Sequence, residues 1–279
     1  MSVSVPLRLR PLEVGDLLDE TFRIYRRHFL LFAAIAVILA IPSAALMSLA
    51  LAWFATGLEQ TSGTDLTPVL GFLASFAAAG IVSIFILPFT YGAITYAACE
   101  SAMGRPVSAG GVFRGVLRRY FPLLGYWLLF NTFTMYIAIF LCVAPFILWV
   151  WVYVMWVAAT PAMFVENIGL GQAISRSRSL VEGRWWRTFL ILFLMAIVTY
   201  IVRLGLNGFL TISEVPLEAV LNPFLVSAIV QGLATLLAAL VTPVTQILIV
   251  LIYFDLRVRR EALDLFQMAY RLAAPPATI

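Results

Sequence analysis

Three arginine pairs, Arg26 with Arg27, Arg118 with Arg119 and Arg184 with Arg187, each stand near the start of a long apolar run. A guanidinium fork matches phosphate oxygens two at a time, so the chemistry open to such pairs is contact with anionic lipid or with a phosphate-bearing ligand. The alternative is that they hold topology and helix depth, as basic residues flanking membrane spans commonly do. All 18 basic residues are arginine. Selection for phosphate contacts and a GC-rich codon bias both account for that. A second group lies inside the apolar runs: the amides Asn131, Gln231 and Gln246, and the hinge candidates Pro88 and Pro243. Intramembrane amides join helices or meet a substrate. Corresponding proline-interrupted helices are the pattern that points to a transporter's binding site.

Catalytic chemistry finds little material. There is no nucleophile elbow, HExxH pair, Walker loop or nucleotide-binding glycine fingerprint in a fitting context. His28 reads as an interfacial aromatic beside Arg26 and Arg27, not as a general base. Asp19 and Glu20 are adjacent, which turns them to different faces of a helix. Two isolated cysteines, Cys99 and Cys142, placed at opposite ends of spans, provide neither a disulfide nor a metal cluster. The reading is of a non-enzymatic protein without a cofactor and without a nucleic-acid partner.

The elements that must position these residues follow from composition. With 63% hydrophobic and 11% charged residues, the chain cannot cover a soluble globule with polar surface. It is expected to be an all-α, polytopic membrane bundle of six spans, near Phe29–Phe54, Val69–Cys99, Pro122–Val143, Ala144–Val165, Phe189–Leu210 and Phe224–Phe254, each meeting the requirement of roughly 20 apolar residues. No short signal region with a cleavage site precedes the first run, so the N-terminus is expected to be retained. With both ends on one side, that side gathers every arginine except Arg203, while Glu59, Asp65, Glu214 and Glu218 face the other. The positive-inside rule then makes both termini cytoplasmic. Arg203 and Asn207 are expected near the outer interface. Glu100, Glu166 and Asp255 lie at inner helix ends, where arginines such as Arg105 and Arg257 can pair with them.

An amphipathic stretch leads into each pair of spans. In the first, Val14, Leu17, Leu18, Thr21, Phe22, Tyr25 and Phe29 recur at helical spacing, with acids early and arginines late as the helix dipole prefers. Phe113, Val116, Leu117, Tyr120 and Phe121 repeat the pattern, and Leu170, Ile174, Val181 and Trp185 do so less cleanly. Such helices lie in the membrane interface. LPFTYGAITYAACE (87–100) also matches TPVTQILIVLIYFD (242–255), with Pro88 and Pro243 expected to kink their helices and Thr90 and Thr245 to help satisfy the freed carbonyls. The organisation is one integral membrane domain, 1–279, of three pseudo-repeats, roughly 12–100, 107–166 and 169–266, closed by a disordered tail at 273–279.

LRPLEVGDLLDETFRIYRRHF (9–29), RSLVEGRWWR (178–187) and YFDLRVRREALDL (253–265) resemble the pattern of the bacterial glycerophosphoryl diester phosphodiesterase membrane-domain family. The resemblance extends over nearly the whole chain, and its motifs mark topology more than chemistry. Members with that activity carry a soluble barrel with catalytic His, Glu and Asp, and no segment here corresponds to it. What the resemblance implies is a helical module of the bacterial inner membrane, associated with anionic lipids of the cytoplasmic leaflet, with a partner protein, or with further copies of itself. A small-molecule or lipid transporter is the alternative, which a cavity lined by Asn131, Gln231 or Gln246 would favour, and a membrane enzyme of phospholipid metabolism comes third.

Overall fold

The computed structural model describes residues 12–60, 67–140, 143–218 and 221–261. Asp65, Cys142 and the tail 273–279 lie outside them, as do the side chains of Glu59, Glu214 and Glu218. The described residues are helical throughout, without a strand: α1 (Val14–Arg27), α2 (Phe29–Gln60), α3 (Thr67–Ala102), α4 (Ala109–Arg118), α5 (Tyr120–Phe140), α6 (Val143–Trp156), α7 (Ala159–Val165), α8 (Leu170–Val181), α9 (Trp185–Glu218) and α10 (Pro223–Glu261). Five spans are long and apolar enough to cross a membrane: Phe29–Leu51, Val69–Ala102, Phe146–Val165, Trp185–Ile212 and Leu225–Glu261. The protein is a multi-pass membrane helical bundle. The remaining expected span, 122–143, runs along α5 and past its end, beyond the described residues.

Local sequence explains the helix ends. The Ser108 hydroxyl accepts the Gly111 N–H at 3.2 Å and starts α4, meeting one of the donors that a helix N-terminus leaves free. Asp16 stands in the first turn of α1 and Arg26 and Arg27 in its last, each complementing the helix dipole. Prolines act differently by position. Pro88 and Pro243 sit inside the continuous helices α3 and α10. The fourth expected span, read as continuous from 144 to 165, is instead broken at Val157 and Ala158, between α6 and α7. Pro161 explains the break: it has no N–H for the Val157 carbonyl and its ring crowds that carbonyl. In the first turn of the new helix α7 it is tolerated.

Packing is uneven along the bundle axis. α2 packs most extensively on α10 and α3, and α9 lies against α10. The first half of α3 faces outward, while its second half buries Ala93, Ile94, Ala97, Ala98, Cys99 and Ala102. The main core, including Leu17, Ile94, Met163, Leu180 and Leu251, gathers toward the arginine-rich end. Toward the other end, the described residues give a small cluster of Leu210, Val226 and Val230, and most of α9 from Ala196 to Phe209 is exposed.

The short helices α4 and α8 pack differently. α4 keeps Phe113, Leu117 and the neighbouring Phe121 exposed and buries Val112 and Val116. α8 buries Ala173, Ser177, Leu180 and Val181, with the expected Leu170, Ile174 and Trp185 partly buried against the same core. Small residues at Ala173 and Ser177 let α8 enter the bundle against α6 and α7 instead of floating on it.

Candidate functional site

Two ion networks flank the last turns of α10. Asp255, 2% exposed, accepts Arg187 Nη1 at 2.5 Å, Arg259 Nε at 3.0 and 3.1 Å, and the Leu12 N–H at 2.9 Å. Arg187 and Arg259 also donate to the Leu12 carbonyl at 2.6 and 2.7 Å, and Arg184 donates to the Arg259 carbonyl at 3.1 Å. A buried carboxylate is tolerable only with this density of donors. On the other side, Glu166 accepts Arg176 Nε at 2.9 and 3.0 Å and the Tyr253 hydroxyl at 2.8 Å. Arg257 Nε lies 3.6 Å from Glu166 and 3.0 Å from Glu261, and Glu261 also pairs with Arg176. Burial works against the charge on Arg176, but the hydrogen bonds from Glu166 and Glu261 outweigh it and hold the guanidinium above its ordinary range. These networks lock helices together and leave little free charge for a substrate.

The six arginines of the three pairs therefore differ. Arg184 and Arg187 are spent inside the protein. Arg119 bonds the Ile168 carbonyl and the Asn167 side chain. Arg26, Arg27 and Arg118 are exposed, with no ion pair or hydrogen bond among the described residues. Glu100 pairs with Arg105 at 3.2 Å.

In α3 and α10 a carbonyl in the turn before the proline is held from outside the helix. The Tyr25 hydroxyl donates to the Leu240 carbonyl at 2.7 Å, three residues before Pro243. The Tyr120 hydroxyl donates to the Phe85 carbonyl at 2.9 Å, three residues before Pro88. At the α6–α7 break, the buried Ser177 hydroxyl accepts the Ala158 N–H at 3.1 Å and donates to the Met155 carbonyl at 2.7 Å, while Tyr126 reaches the Trp156 carbonyl at 3.1 Å. Irregular backbone at membrane depth requires such partners. Thr90 does bond a carbonyl of its own helix, that of Ile86, at 3.0 Å. The tyrosines and Ser177 were not readable as carbonyl partners, because their targets are remote in sequence.

Between the proline-containing helices α3 and α10 lies a cavity of about 430 Å³, within the usual range of about 300–1,000 Å³ for small-molecule sites. α3, α5, α6, α7, α9 and α10 all contribute to its wall. Pro88, Asn131 and Gln246 line it; Gln231 and Pro243 do not, although Thr242 and Thr245 on either side of Pro243 do. Gln246 lies nine residues before Asp255, about 14 Å along the helix. That depth is near the middle of an apolar layer about 30 Å thick. The buried Leu123, Val157 and Ile249 form its most closely packed part. Arg203, expected at the outer interface, also lines it.

Hydrogen bonding determines what this cavity offers. The Thr95 hydroxyl donates to Gln246 Oε1 at 3.1 Å, which leaves the Gln246 amide N–H groups with no partner among the described residues. Asn131 spends an N–H on the Trp127 carbonyl at 2.9 Å and keeps its carbonyl oxygen. Thr134 donates to the Phe130 carbonyl at 2.9 Å and accepts Trp149 Nε1 at 3.0 Å, so its hydroxyl is engaged. Aromatic rings complete the walls: Phe130 and Tyr153 lie 5.7 Å apart, and Trp149 stacks on Tyr153 at 5.6 Å. No acidic side chain lines the cavity among the described residues. It is a chamber of apolar and aromatic surface with a few oriented polar groups.

No family model, no curated protein and no solved structure matches this chain, so nothing in these comparisons links it to the glycerophosphoryl diester phosphodiesterase membrane-domain family.

Proposed function

We infer that this chain is a non-catalytic protein of the bacterial inner membrane that binds a lipid or a small amphiphile in its mid-depth cavity, as a lipid-handling module or permease. The observation that carries this reading is the chamber of about 430 Å³ bounded by Asn131, Gln246 and the proline-containing α3 and α10. A bundle built only to hold topology gains nothing from an aromatic-walled gap, since lost packing contacts are a cost. The ion-paired end supports the same reading by providing a rigid base beside the chamber.

Charge supports an orientation with both termini in the cytoplasm, because the arginines gather at one end of the bundle. There Arg26, Arg27 and Arg118, exposed at the ends of α1 and α4, are in position to meet anionic headgroups, at about 1 kcal/mol each near an acidic leaflet.

Native mass spectrometry of protein extracted gently from its own membrane tests the reading, with wild type compared against Thr245→Trp, which fills the cavity. Wild type should carry a defined non-protein mass near one per chain, and the variant, if it melts at the same temperature, should lose it. A bare wild type, or equal retention by both proteins, would overturn the reading.

A further inference from the structure

Among the described residues, Arg203 is the one arginine that stands apart from the charged end of the bundle. It lies roughly 27 Å along α9 from Trp185, within the span Trp185–Ile212. The side chain lines the cavity with Tyr91 and Gln246. α9 runs from the charged end outward, and helical side chains lean toward the N-terminus of their helix. The stem of Arg203 therefore leans back into the membrane layer, toward the chamber. An arginine that only needed water at the far surface would sit where its stem could extend outward.

Its surroundings lack a counter-charge. Arg176, Arg187, Arg257 and Arg259 each have a carboxylate partner at the charged end. Arg203 has no ion pair or hydrogen bond among the described residues, and no aspartate or glutamate there lines the cavity. A cation within a membrane span is costly unless it is paired or hydrated, and residues of this kind mark ligand pathways. The nearby polar groups are compatible with an anion: the Gln246 amide N–H groups are unengaged, and the Tyr91 and Thr245 hydroxyls can donate. Trp127, Phe130 and Trp149 provide the apolar remainder of the wall.

We propose that the cavity takes an amphiphile with a single anionic head, a phosphate or a carboxylate, whose charge is bound by Arg203 and whose oxygens accept from Gln246. This rests on the cavity-binding reading above and names the ligand class. The volume admits a headgroup or a small organic acid, not a pair of acyl chains, so a lipid ligand leaves its tails outside the chamber. The guanidinium fork suits a planar carboxylate or two phosphate oxygens equally, so membrane lipid and soluble anion share the chemistry, and the test separates them.

Equilibrium binding to purified protein in neutral-lipid nanodiscs is measured for four probes: 1-oleoyl lysophosphatidate, oleate, the uncharged monoolein, and glycerol 3-phosphate. Wild type, Arg203→Gln, Arg203→Lys and Thr245→Trp are compared. The proposal predicts that wild type prefers anionic probes to monoolein and that Arg203→Gln weakens the anionic probes by roughly tenfold to a hundredfold, the worth of a charge-assisted bond. Arg203→Lys should restore part of the loss, and monoolein binding should not change, which also reports that the variant is folded. Lysophosphatidate binding without glycerol 3-phosphate binding assigns a lipid; glycerol 3-phosphate binding assigns a soluble anion. Equal binding of anionic probes and monoolein by wild type overturns the anion assignment and leaves the cavity reading intact, provided Thr245→Trp abolishes both. Loss of neither in Thr245→Trp overturns the cavity reading as well.

Discussion

The Tyr25 hydroxyl, on a short helix near the start of the chain, donates to the carbonyl of Leu240 in the last helix at 2.7 Å. The position is not arbitrary, because Tyr120 makes the same bond to Phe85, and each accepting carbonyl lies three residues before an intrahelical proline. A proline removes one helix hydrogen bond and strains the turn before it, so each short segment delivers a hydroxyl to the turn that needs one. The turns before Pro88 and Pro243 are thus each held by a residue outside the helix concerned.

Tyr25→Phe and Tyr120→Phe should each lower stability by about 1 kcal/mol, the net worth of a hydrogen bond. Amide exchange should quicken beside Pro243 in the first variant and beside Pro88 in the second. Unchanged exchange at those turns would show that they hold without the tyrosines.

Asp255 carries the heavier electrostatic load. Asp255→Asn should cost about 3–5 kcal/mol, as removal of one member of a buried pair does. Arg187→Ala and Arg259→Ala should each cost less, because the other arginine still holds the carboxylate. Thermal unfolding in detergent, followed by loss of the monodisperse peak, reads the order; equal small losses for all three would contradict it.

Helices and spans were legible because apolar length is a one-dimensional property. The ion pairs were legible only in part. Glu100 with Arg105, and Asp255 with Arg259, are close in sequence. The pairing of Arg187 with Asp255 and that of Arg176 with Glu166 are decided by tertiary packing. Arg184 and Arg187 have the same sequence signature as Arg26 and Arg27, yet one set is internal and the other exposed, and no local pattern separates them. The cavity was the least legible feature, since it is defined by atoms that do not meet. Its polar residues Asn131 and Gln246 are identifiable as polar positions at depth and Arg203 as a charge near the outer interface, but that Arg203 also lines the cavity is decided by tertiary packing.

Ser177 was passed over because a serine on a helix with several arginines reads as surface. Buried between Ala158 and Met155, it holds both sides of the α6–α7 break. Ser177→Ala should cost about 1–3 kcal/mol through the unsatisfied backbone groups it leaves, and Ser177→Thr less if the methyl fits. Stability curves for both variants check the order. A neutral alanine substitution would mean that the break is satisfied some other way.

His28, at the C-terminus of α1, carries the pH signature. Burial and then the neighbouring Arg27 charge lower its affinity for a proton below that of an ordinary imidazole. Protonation therefore favours the unfolded chain. Its contribution is fully present above the unfolded value of about 6.5 and is lost as pH falls through the lower folded value. Melting temperatures of wild type and His28→Gln, measured from pH 8 to pH 5, should diverge on the acid side, with wild type losing more; the effect is small because the ring is largely solvated. Parallel curves would contradict it.

The account depends most on the cavity being a binding site in the membrane-embedded protein. A cryo-electron-microscopy map of wild type in nanodiscs formed from its own membrane lipids tests this directly. The account predicts non-protein density between α3, α5 and α10, in contact with Gln246 and Arg203. A collapsed gap in which side chains from these helices fill the space, with no density beyond protein, would contradict it.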